Sequence, residues 1–312
     1  MDNNILGIHH ITAIASDAKR NYDFYTRVLG QRMVKKTVNF DDPQTYHFYF
    51  GDEVGTPGTI LTFFPWGNRV KPGRRGTRQV TEIGYTVPAG SLDFWKNRLE
   101  ANNVIYNNPA EKFGEQYLTL LDPDGLKFEL TVPGKADTRT PWTTDEVDAA
   151  HAIRGFHHVT LTTEKIDATA RVLTDVFGYR LLQHEVNRYR FITDAVDHAA
   201  LVDLVEAPGE AEGLVAGGSV HHVAFRVKNE ATLMHFREKV IAQGLHITEK
   251  IDRNYFYSLY FREPGGVLFE IATDNPGFAT DETVAELGSG LKLPAQYEAH
   301  REQLEKVLPQ LD

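Results

Sequence analysis

The stretch Gly7-Ile8-His9-His10-Ile11-Thr12 is repeated 148 residues later as Gly155-Phe156-His157-His158-Val159-Thr160. The segment Val28-Leu29-Gly30 returns as Val176-Phe177-Gly178 with the same offset, so no insertion or deletion separates the two matches. Two matches with one shared offset indicate an internal duplication, and a duplicated chain must be interpreted as a set of repeated units.

A second pair of matching stretches divides each half of the chain into two smaller units. Leu121-Asp122-Pro123-Asp124-Gly125-Leu126-Lys127-Phe128-Glu129-Leu130 is parallel to Arg262-Glu263-Pro264-Gly265-Gly266-Val267-Leu268-Phe269-Glu270-Ile271, so Glu270 follows Glu129 by 141 residues. Each unit has the pattern of a strand, a helix and further strands. Such a βαβββ unit leaves one face of its sheet bare, and we therefore expect the units to pair.

The first and the fourth unit give the clearest element boundaries. In the first, a strand over residues 7–15 leads to Asp17, a helix cap, and Gly30 is placed to end the helix. In the fourth, we predict a strand at 220–227, a helix at about 230–243 and strands near 246–251, 256–262 and 267–273. The fold class is therefore α+β, with four βαβββ modules.

The duplication also predicts how the chain divides into domains. We expect an N-terminal domain of two modules over residues 1–140 and a C-terminal domain of two modules over 150–274. A tail over 275–312 follows, with a helical stretch from Pro294 to about Leu308. We interpret the tail as a strap that packs on the domains, and a lid over a site is the alternative.

Composition excludes several classes of function. The 312 residues include 33 Lys and Arg against 43 Asp and Glu, a net charge of −10, which argues against binding to nucleic acid or to an anionic membrane. No run approaches the ~18 apolar residues of a membrane span, and the first residues lack the pattern of a signal peptide. Without Cys there are no disulfides, thiolate metal sites or Cys nucleophiles. We expect a cytoplasmic protein whose chemistry depends on His, carboxylates, Tyr and Arg.

Histidine doublets open three of the four units, as His9-His10, His157-His158 and His221-His222. Because side chains alternate along a strand, the second His of each doublet shares a face with smaller and more polar neighbours, which is the cavity side. Glu270 lies within the apolar stretch 267–272, where a carboxylate is costly to bury without a cation or hydrogen-bond donors. Two neutral imidazoles and one carboxylate are typical ligands of ferrous iron or manganese, and they leave coordination positions open.

The spacing leaves open which modules pair. If the first module pairs with the fourth, His10 joins His222 and Glu270, and if the third pairs with the fourth, the first ligand is His158. In the former case His158, Glu82 and Glu129 would form a second site or the remnant of one. The competing interpretation, in which the histidines are hydrogen-bonded core groups and Glu270 caps a loop, explains a single His better than repeated doublets.

These residues resemble the vicinal oxygen chelate superfamily, which contains glyoxalases, fosfomycin-resistance proteins and extradiol dioxygenases. More narrowly, the chain is similar to hydroquinone ring-cleaving dioxygenases of the chlorohydroquinone and methylhydroquinone types. The matching stretches are Leu6-Gly7-Ile8-His9-His10-Ile11-Thr12, residues 49–59, His221-His222-Val223-Ala224-Phe225, Asp252-Arg253-Asn254-Tyr255-Phe256 and Gly265-Gly266-Val267-Leu268-Phe269-Glu270. The resemblance implies two open, barrel-like mixed sheets and an Fe²⁺ site, with Mn²⁺ as the alternative, made by His10, His222 and Glu270.

The resemblance also implies a set of residues around the substrate and O₂, namely His9, Thr12, His221, Arg253 and Tyr260. Arg253 is a fixed cation suited to negative charge that develops on oxygen. The implied partners are a small aromatic substrate and O₂, with a homo-oligomer as a further prediction. Two alternatives use the same scaffold: a glyoxalase-like metal-dependent lyase, isomerase or thiol transferase, which commonly adds a fourth protein ligand, and a non-catalytic binding protein for small molecules.

Overall fold

The computed structural model describes residues 3–311. Within that span the strands are β1 (Ile8–Ala15), β2 (Arg32–Val38), β3 (Tyr46–Gly51), β4 (Ile60–Pro65), β5 (Gln79–Thr86), β6 (Ala110–Lys112), β7 (Glu115–Leu121), β8 (Lys127–Thr131), β9 (Gly155–Thr163), β10 (Arg180–Glu185), β11 (Arg188–Ile192), β12 (Leu201–Glu206), β13 (Ser219–Val227), β14 (Ile251–Asp252), β15 (Phe256–Arg262) and β16 (Leu268–Pro276). The α-helices are α1 (Ala18–Asp23), α2 (Leu92–Ala101), α3 (Asp167–Arg171), α4 (Glu230–Ala242) and α5 (Arg301–Val307).

Local sequence explains the boundaries of the first helix. The Asp17 carboxylate accepts a hydrogen bond from the Arg20 backbone N–H, as predicted for a helix cap. A π-helical turn over Phe24–Val28 extends α1, and the chain leaves it through Gly30 at a φ of 65°. A side chain there would be strained, and its Cβ would lie 3.0 Å from Val147.

The fourth module follows the predicted order with one difference. Strand β13, helix α4 and strands β15 and β16 match the predicted segments closely. The strand predicted near 246–251 is reduced to β14 and an isolated bridge between Ile247 and Phe261. This segment is the exposed edge of its sheet and has a partner strand on one side alone, which explains the weaker pairing.

The strands form two curled, open eight-stranded mixed sheets, which confirms the predicted α+β fold. Sheet 1 has the order β14-β15-β16-β13-β1-β4-β3-β2, and sheet 2 has the order β10-β11-β12-β9-β5-β8-β7-β6. Sheet 1 therefore joins the first and fourth modules, and sheet 2 joins the second and third. Of the two pairings left open by the spacing, the structure has the one that puts His10, and not His158, in the same sheet as Glu270.

Each of the two predicted domains contributes one module to each sheet. The division of the chain at about residues 140–150 is therefore not a division between the sheets. The domain boundaries themselves stay a prediction.

At the centre of each sheet lie two antiparallel strands, and three of these four strands, β1, β13 and β9, carry a histidine doublet. In sheet 1, β1 and β13 place Thr12 opposite His222, and in sheet 2, β9 and β5 place Thr160 opposite Glu82. Every residue of β1 and β9 is buried. One face of each strand packs on the main apolar core under the helices, and the other face lies inside the concave side of the curled sheet.

The tail packs against sheet 1. Phe278 and Leu287 belong to a small buried apolar cluster with Val34 and Tyr49. Lys35 is fully buried, and its ammonium contacts the tail carboxylates of Asp281 and Glu282. A 3₁₀ segment over residues 295–300 continues as α5, close to the predicted helical stretch. These contacts are those of a packing strap.

Membrane insertion through helices has no support in residues 3–311, where none of the helices has the length and apolar character that a bilayer crossing requires.

Candidate metal centre

His10, His222 and Glu270 converge at the centre of sheet 1. The Glu270 Oε2 atom lies 2.8 Å from His222 Nε2 and 3.2 Å from His10 Nε2. The two Nε2 atoms are 3.4 Å apart. All three side chains are buried, and together they form a group with one possible ligand atom each. We call these residues the sheet 1 centre.

Hydrogen bonds behind His10 determine which of its nitrogens faces the centre. His9 Nε2 lies 3.1 Å from the Thr273 carbonyl oxygen, which can accept a hydrogen bond but cannot donate one. His9 therefore carries its proton on Nε2, and its Nδ1 accepts from His10 Nδ1–H at 2.9 Å. The proton of neutral His10 is thus on Nδ1, and an unprotonated Nε2 points into the centre, as a metal ligand requires.

The donor set fits a divalent metal ion. Both carboxylate oxygens of Glu270 are buried, and within residues 3–311 neither has a hydrogen-bond partner, although the imidazoles of His10 and His222 lie close to Oε2. Ligand atoms about 2.1 Å from a metal ion and at right angles to one another around it would lie about 3.0 Å apart. The three ligand atoms of the sheet 1 centre are 2.8–3.4 Å apart, which is close to this spacing. A bound cation would remove the repulsion between converging lone pairs.

Burial and charge keep these groups in the protonation states that bind metals. Burial lowers the pKa of His222 below its ordinary value, and it lowers the pKa of His9 further, so that both imidazoles favour the neutral form. Burial alone would raise the pKa of Glu270, but His10 and His222 outweigh it and hold this pKa well below the ordinary value. The sheet 1 centre therefore contains a buried ionised carboxylate, which favours a cation.

A cavity of about 350 Å³ opens beside the centre. Its lining combines polar groups near the centre with aromatic and apolar side chains farther out. The lining residues are His10, Thr12, Asn39, Phe40, Asp41, His47, Tyr49, Phe64, Trp66, His221, His222, Arg253, Phe256, Tyr260 and Leu268. Of the residues predicted to surround the substrate, Thr12, His221, Arg253 and Tyr260 line this cavity. His9 lies behind His10, against Thr273.

Arg253 and Tyr260 form one polar wall of the cavity. Arg253 Nε donates to the Tyr260 hydroxyl at 3.3 Å, and the guanidinium reaches Asp41 at 3.6 Å. Burial raises the pKa of Tyr260, and the nearby Glu270 raises it further, so the phenol stays neutral. The wall thus presents a fixed positive charge and a neutral hydroxyl to a ligand.

A hydrogen-bonded chain also lines the cavity, and of its members Thr12 alone was predicted from the sequence. The Tyr49 hydroxyl donates to His47 Nδ1 at 2.9 Å, and His47 Nε2 contacts Thr62 Oγ1 at 2.9 Å. Thr62 in turn donates to Thr12 at 2.9 Å. The signal was present, because alternation along 46–50 puts His47 and Tyr49 on one face of β3. A single His had no repeated counterpart to mark it.

Sheet 2 contains a second group with the same kinds of donor atom, formed by Glu82, Glu129 and His158. The Lys112 ammonium lies among them: it forms an ion pair with Glu129 and is 3.4 Å from His158 Nε2 and 3.8 Å from Glu82 Oε2. Burial lowers the pKa of Lys112, and Glu129 opposes this shift. We call these four residues the sheet 2 centre.

Comparison with known proteins identifies the family and its named members. The model of the Glyoxalase/Bleomycin resistance protein/Dioxygenase superfamily matches residues 7–130 and 155–271. The chain is 45% identical over 308 residues to the Bacillus subtilis (strain 168) protein named "Putative ring-cleaving dioxygenase MhqO", covering 99% of this chain and 97% of that protein. It is 34% identical over 312 residues to the chlorohydroquinone/hydroquinone 1,2-dioxygenase of Sphingobium indicum, covering 97% and 95%.

Solved structures agree with this family. A crystal structure named as a "putative dioxygenase" from Bacillus subtilis subsp. subtilis str. 168 has a TM-score of 0.94 and 45% identity, covering 99% of this chain and 98% of that one. Glyoxalase I from Zea mays has a TM-score of 0.64 at 15% identity, covering 86% and 92%, which is a likeness of fold alone.

Proposed function

Because the chain belongs to the Glyoxalase/Bleomycin resistance protein/Dioxygenase superfamily, we propose that it is a metal-dependent ring-cleaving dioxygenase that acts on hydroquinone-type aromatic substrates. One observation carries the proposal. Three buried side chains that can act as metal ligands converge, no Lys or Arg side chain of residues 3–311 pairs with their carboxylate, and they border a cavity lined by aromatic side chains. The names of the full-length relatives support the reaction class and the substrate class.

His10, His222 and Glu270 would hold the metal, which we propose is Fe²⁺, with Mn²⁺ as the alternative. Ferrous iron bound there supplies the one-electron chemistry that allows O₂ to react with an aromatic ring. His9 has the role of a positioning residue, since its contact with Thr273 fixes the tautomer of His10.

The cavity side chains would bind and orient the aromatic substrate. Arg253 offers a positive charge to an anionic substrate oxygen, and Tyr260 offers its hydroxyl as a hydrogen-bond partner. His221 Nδ1 is hydrogen-bonded to His222 Nδ1 at 2.8 Å, so the Nε2 atom of His221 is the nitrogen that remains available to a ligand. Because burial lowers the pKa of His221 to about 3, this imidazole would meet the substrate uncharged.

Thr12, Thr62 and His47 fix one polar edge of the cavity through their hydrogen bonds. Phe64 and Trp66, with nearly parallel rings 6.2 Å apart, provide an apolar outer wall that excludes water from a bound ring. The proposed reaction consumes one substrate and one O₂ and places both oxygen atoms in the ring-opened product.

The test is oxygen uptake by protein loaded with Fe²⁺ under anaerobic conditions. We expect uptake with hydroquinone and methylhydroquinone that exceeds uptake with catechol, and no turnover of a hemithioacetal, the kind of substrate that a glyoxalase would use. The His10→Ala variant is the matched control and should consume no oxygen. Protein with one iron per chain that consumes oxygen with none of these aromatics would contradict the proposal.

The glyoxalase-like and non-catalytic alternatives receive less support from the site. The donor group of the sheet 1 centre has three members within the described part of the chain, and the alternative lyases commonly have four. The cytoplasmic location and the homo-oligomer stay predictions.

A further inference from the structure

We propose that the sheet 2 centre is a metal site whose cation has been replaced by the Lys112 ammonium, and that removal of this ammonium allows the chain to bind a divalent ion there. The unaltered chain then binds one metal ion, in sheet 1, although it contains two sets of ligands. The proposal concerns metal binding and does not depend on the proposed reaction.

Strand register shows that the two sets of donors are structural equivalents. Glu270 pairs with Tyr260 in sheet 1, and Glu129 pairs with Thr119 at the same place in sheet 2. Likewise, His222 lies opposite Thr12, as Glu82 lies opposite Thr160. His158 corresponds to His10 in the 148-residue repeat. Sheet 2 thus keeps one His and one Glu, and it replaces the second His by another carboxylate.

His158 also keeps the hydrogen bonds that make its Nε2 a ligand atom. His157 Nε2 lies 3.2 Å from the Glu115 carboxylate, which can act as acceptor alone, so His157 carries its proton there. His157 Nδ1 therefore accepts from His158 Nδ1–H at 2.9 Å. An unprotonated His158 Nε2 faces Glu129 Oε2 at 3.2 Å, as His10 Nε2 faces Glu270. A pure core histidine has no need of this arrangement.

The Lys112 ammonium occupies the place that a metal would take. Its three N–H groups are matched by three acceptors, Glu129 Oε2, His158 Nε2 and, more distantly, Glu82 Oε2. In sheet 1 the residue equivalent to Lys112 is Arg253. The pair Asp252 and Tyr257 in sheet 1 corresponds to the pair Glu111 and Gln116 in sheet 2, with an offset of 141 residues, and the same offset relates Arg253 to Lys112. Arg253 contacts Tyr260 instead, and the smaller Thr119 at that position in sheet 2 leaves the path to the donors open.

Charge in sheet 2 is balanced without a divalent ion. Four carboxylates lie around the centre, from Glu82, Glu115, Glu129 and Asp203, and four cations contact them, from Lys112, Lys127, Arg188 and Arg190. An added divalent ion would leave two uncompensated positive charges in a buried site. Loss of the Lys112 charge leaves one carboxylate uncompensated and opens the space next to it.

The experiment measures Mn²⁺ binding in a chain whose sheet 1 centre has been disabled by His10→Ala and His222→Ala. In this background the parent should bind less than about 0.1 Mn²⁺ per chain, and addition of Lys112→Ala should raise this to about one, measured by metal analysis after gel filtration and by the EPR signal of free Mn²⁺. Mn²⁺ should also raise the Tm of the Lys112→Ala chain, and EDTA should reverse this rise.

Lys127→Ala is the matched control, because Lys127 contacts the same Glu82 from the rim of the site, at 2.6 Å, while Lys112 stays in place. This chain should bind no more Mn²⁺ than its parent. If Lys112→Ala is isolated only in unfolded form, Lys112→Gln and refolding in the presence of Mn²⁺ provide the same measurement. Failure of both Lys112 variants to bind Mn²⁺ at millimolar concentration would overturn the proposal. Binding by the parent that His158→Ala abolishes would overturn it as well.

Discussion

The two sheet centres are built on one backbone plan but compensate their buried charge in different ways. In sheet 1, two imidazoles and one carboxylate converge and leave a deficit of positive charge. In sheet 2, the equivalent donors surround Lys112, and arginines and a further lysine neutralise the rest. The two copies therefore share the positions of the three metal-ligand side chains, while in one copy the cation that neutralises them is a side chain of the protein.

The residues next to the two centres show the same difference, because they are neutral in sheet 1 and charged in sheet 2. Strand register makes Tyr49 equivalent to Arg190, and Thr62 equivalent to Asp203. In sheet 1 these positions belong to a neutral hydrogen-bonded chain that lines a cavity. In sheet 2 they form a buried ion pair, in which Arg190 contacts Asp203 at 2.8 and 3.0 Å. The first arrangement borders the cavity of sheet 1, whereas the second places a charged pair beside the sheet 2 centre.

The proposed difference between the two centres is tested most directly by removing the equivalent histidines. His10→Ala should lower metal content to near zero and lower ring-cleaving activity by about three orders of magnitude or more, because a ligand is lost. His158→Ala should keep one metal ion per chain and most of the activity. Metal analysis and oxygen uptake check both variants. Loss of the metal in His158→Ala with retention in His10→Ala would reverse our assignment of the two centres.

The ionic character of sheet 2 predicts a large loss of stability when one charge is removed. Asp203 is fully buried, and although burial would raise its pKa, His158 and Arg190 hold this pKa below the ordinary value. Asp203→Asn should lower the free energy of unfolding by about 3–5 kcal/mol, since Arg190 loses a buried partner. Urea unfolding of metal-free protein measures the loss.

The exposed pair of Arg180, on β10, with Asp194, shortly after β11, provides the control. Asp194→Asn removes the same kind of charge from a solvated site, and the free energy of unfolding should change little. Equal losses from Asp203→Asn and Asp194→Asn would mean that sheet 2 does not depend on its buried charges.

A smaller effect should distinguish a positioning role of His9 from a purely structural one. His9→Phe keeps an aromatic ring but removes the acceptor that holds the His10 proton on Nδ1. Metal affinity should fall by about 10–100-fold, the usual range for a group that orients a metal ligand. His9→Gln, whose amide oxygen can accept from His10, should recover part of it, and His157→Phe in sheet 2 should leave it unchanged. Equal affinity in all these chains would exclude the positioning role.

The fold and the donors of sheet 1 could be predicted because their signals are local and repeated. Strand alternation assigned the second His of each doublet to the inner face, and the 148-residue repeat revealed the modules. The resemblance, not the spacing, favoured His10 over His158, because two identical patterns cannot show which one lies beside Glu270. Strand pairing between distant modules decides this.

The function of Lys112 could not be predicted for a related reason. The 141-residue offset that aligns Glu129 with Glu270 also aligns Lys112 with Arg253, so its position was available from the sequence. The direction in which the Lys112 side chain points depends on Thr119, which is smaller than Tyr260, and on His158, an acceptor that the third module supplies. The contacts of Lys35 with Asp281 and Glu282 were inaccessible for the same reason, since about 250 residues separate the partners.

The smallest predicted difference between the two sheets is a dependence of stability on acid pH. Burial would raise the pKa of Glu115, but His157 and Arg190 lower it to about 2, from an ordinary value of 4.5. In sheet 1 the equivalent residue is Phe256, 141 residues later, which does not titrate. A carboxyl whose pKa is lower in the folded state stabilises the fold above its ordinary pKa, and this contribution is lost as the pH falls from about 4.5 towards 2.

The Tm of metal-free protein should therefore fall between pH 5 and pH 3, with a slope that reports protons taken up on unfolding. Glu115→Gln should reduce that uptake by up to one proton, because the side chain no longer titrates, and should lower the Tm at neutral pH, where His157 and Arg190 lose a charged partner. Glu115→Asp keeps an ionisable group and should retain more of the slope. An unchanged slope in Glu115→Gln would mean that Glu115 contributes nothing to the balance of charge in sheet 2. The contrast between the two sheets would then depend on the groups that surround Lys112 and Asp203, and no longer on the wider network.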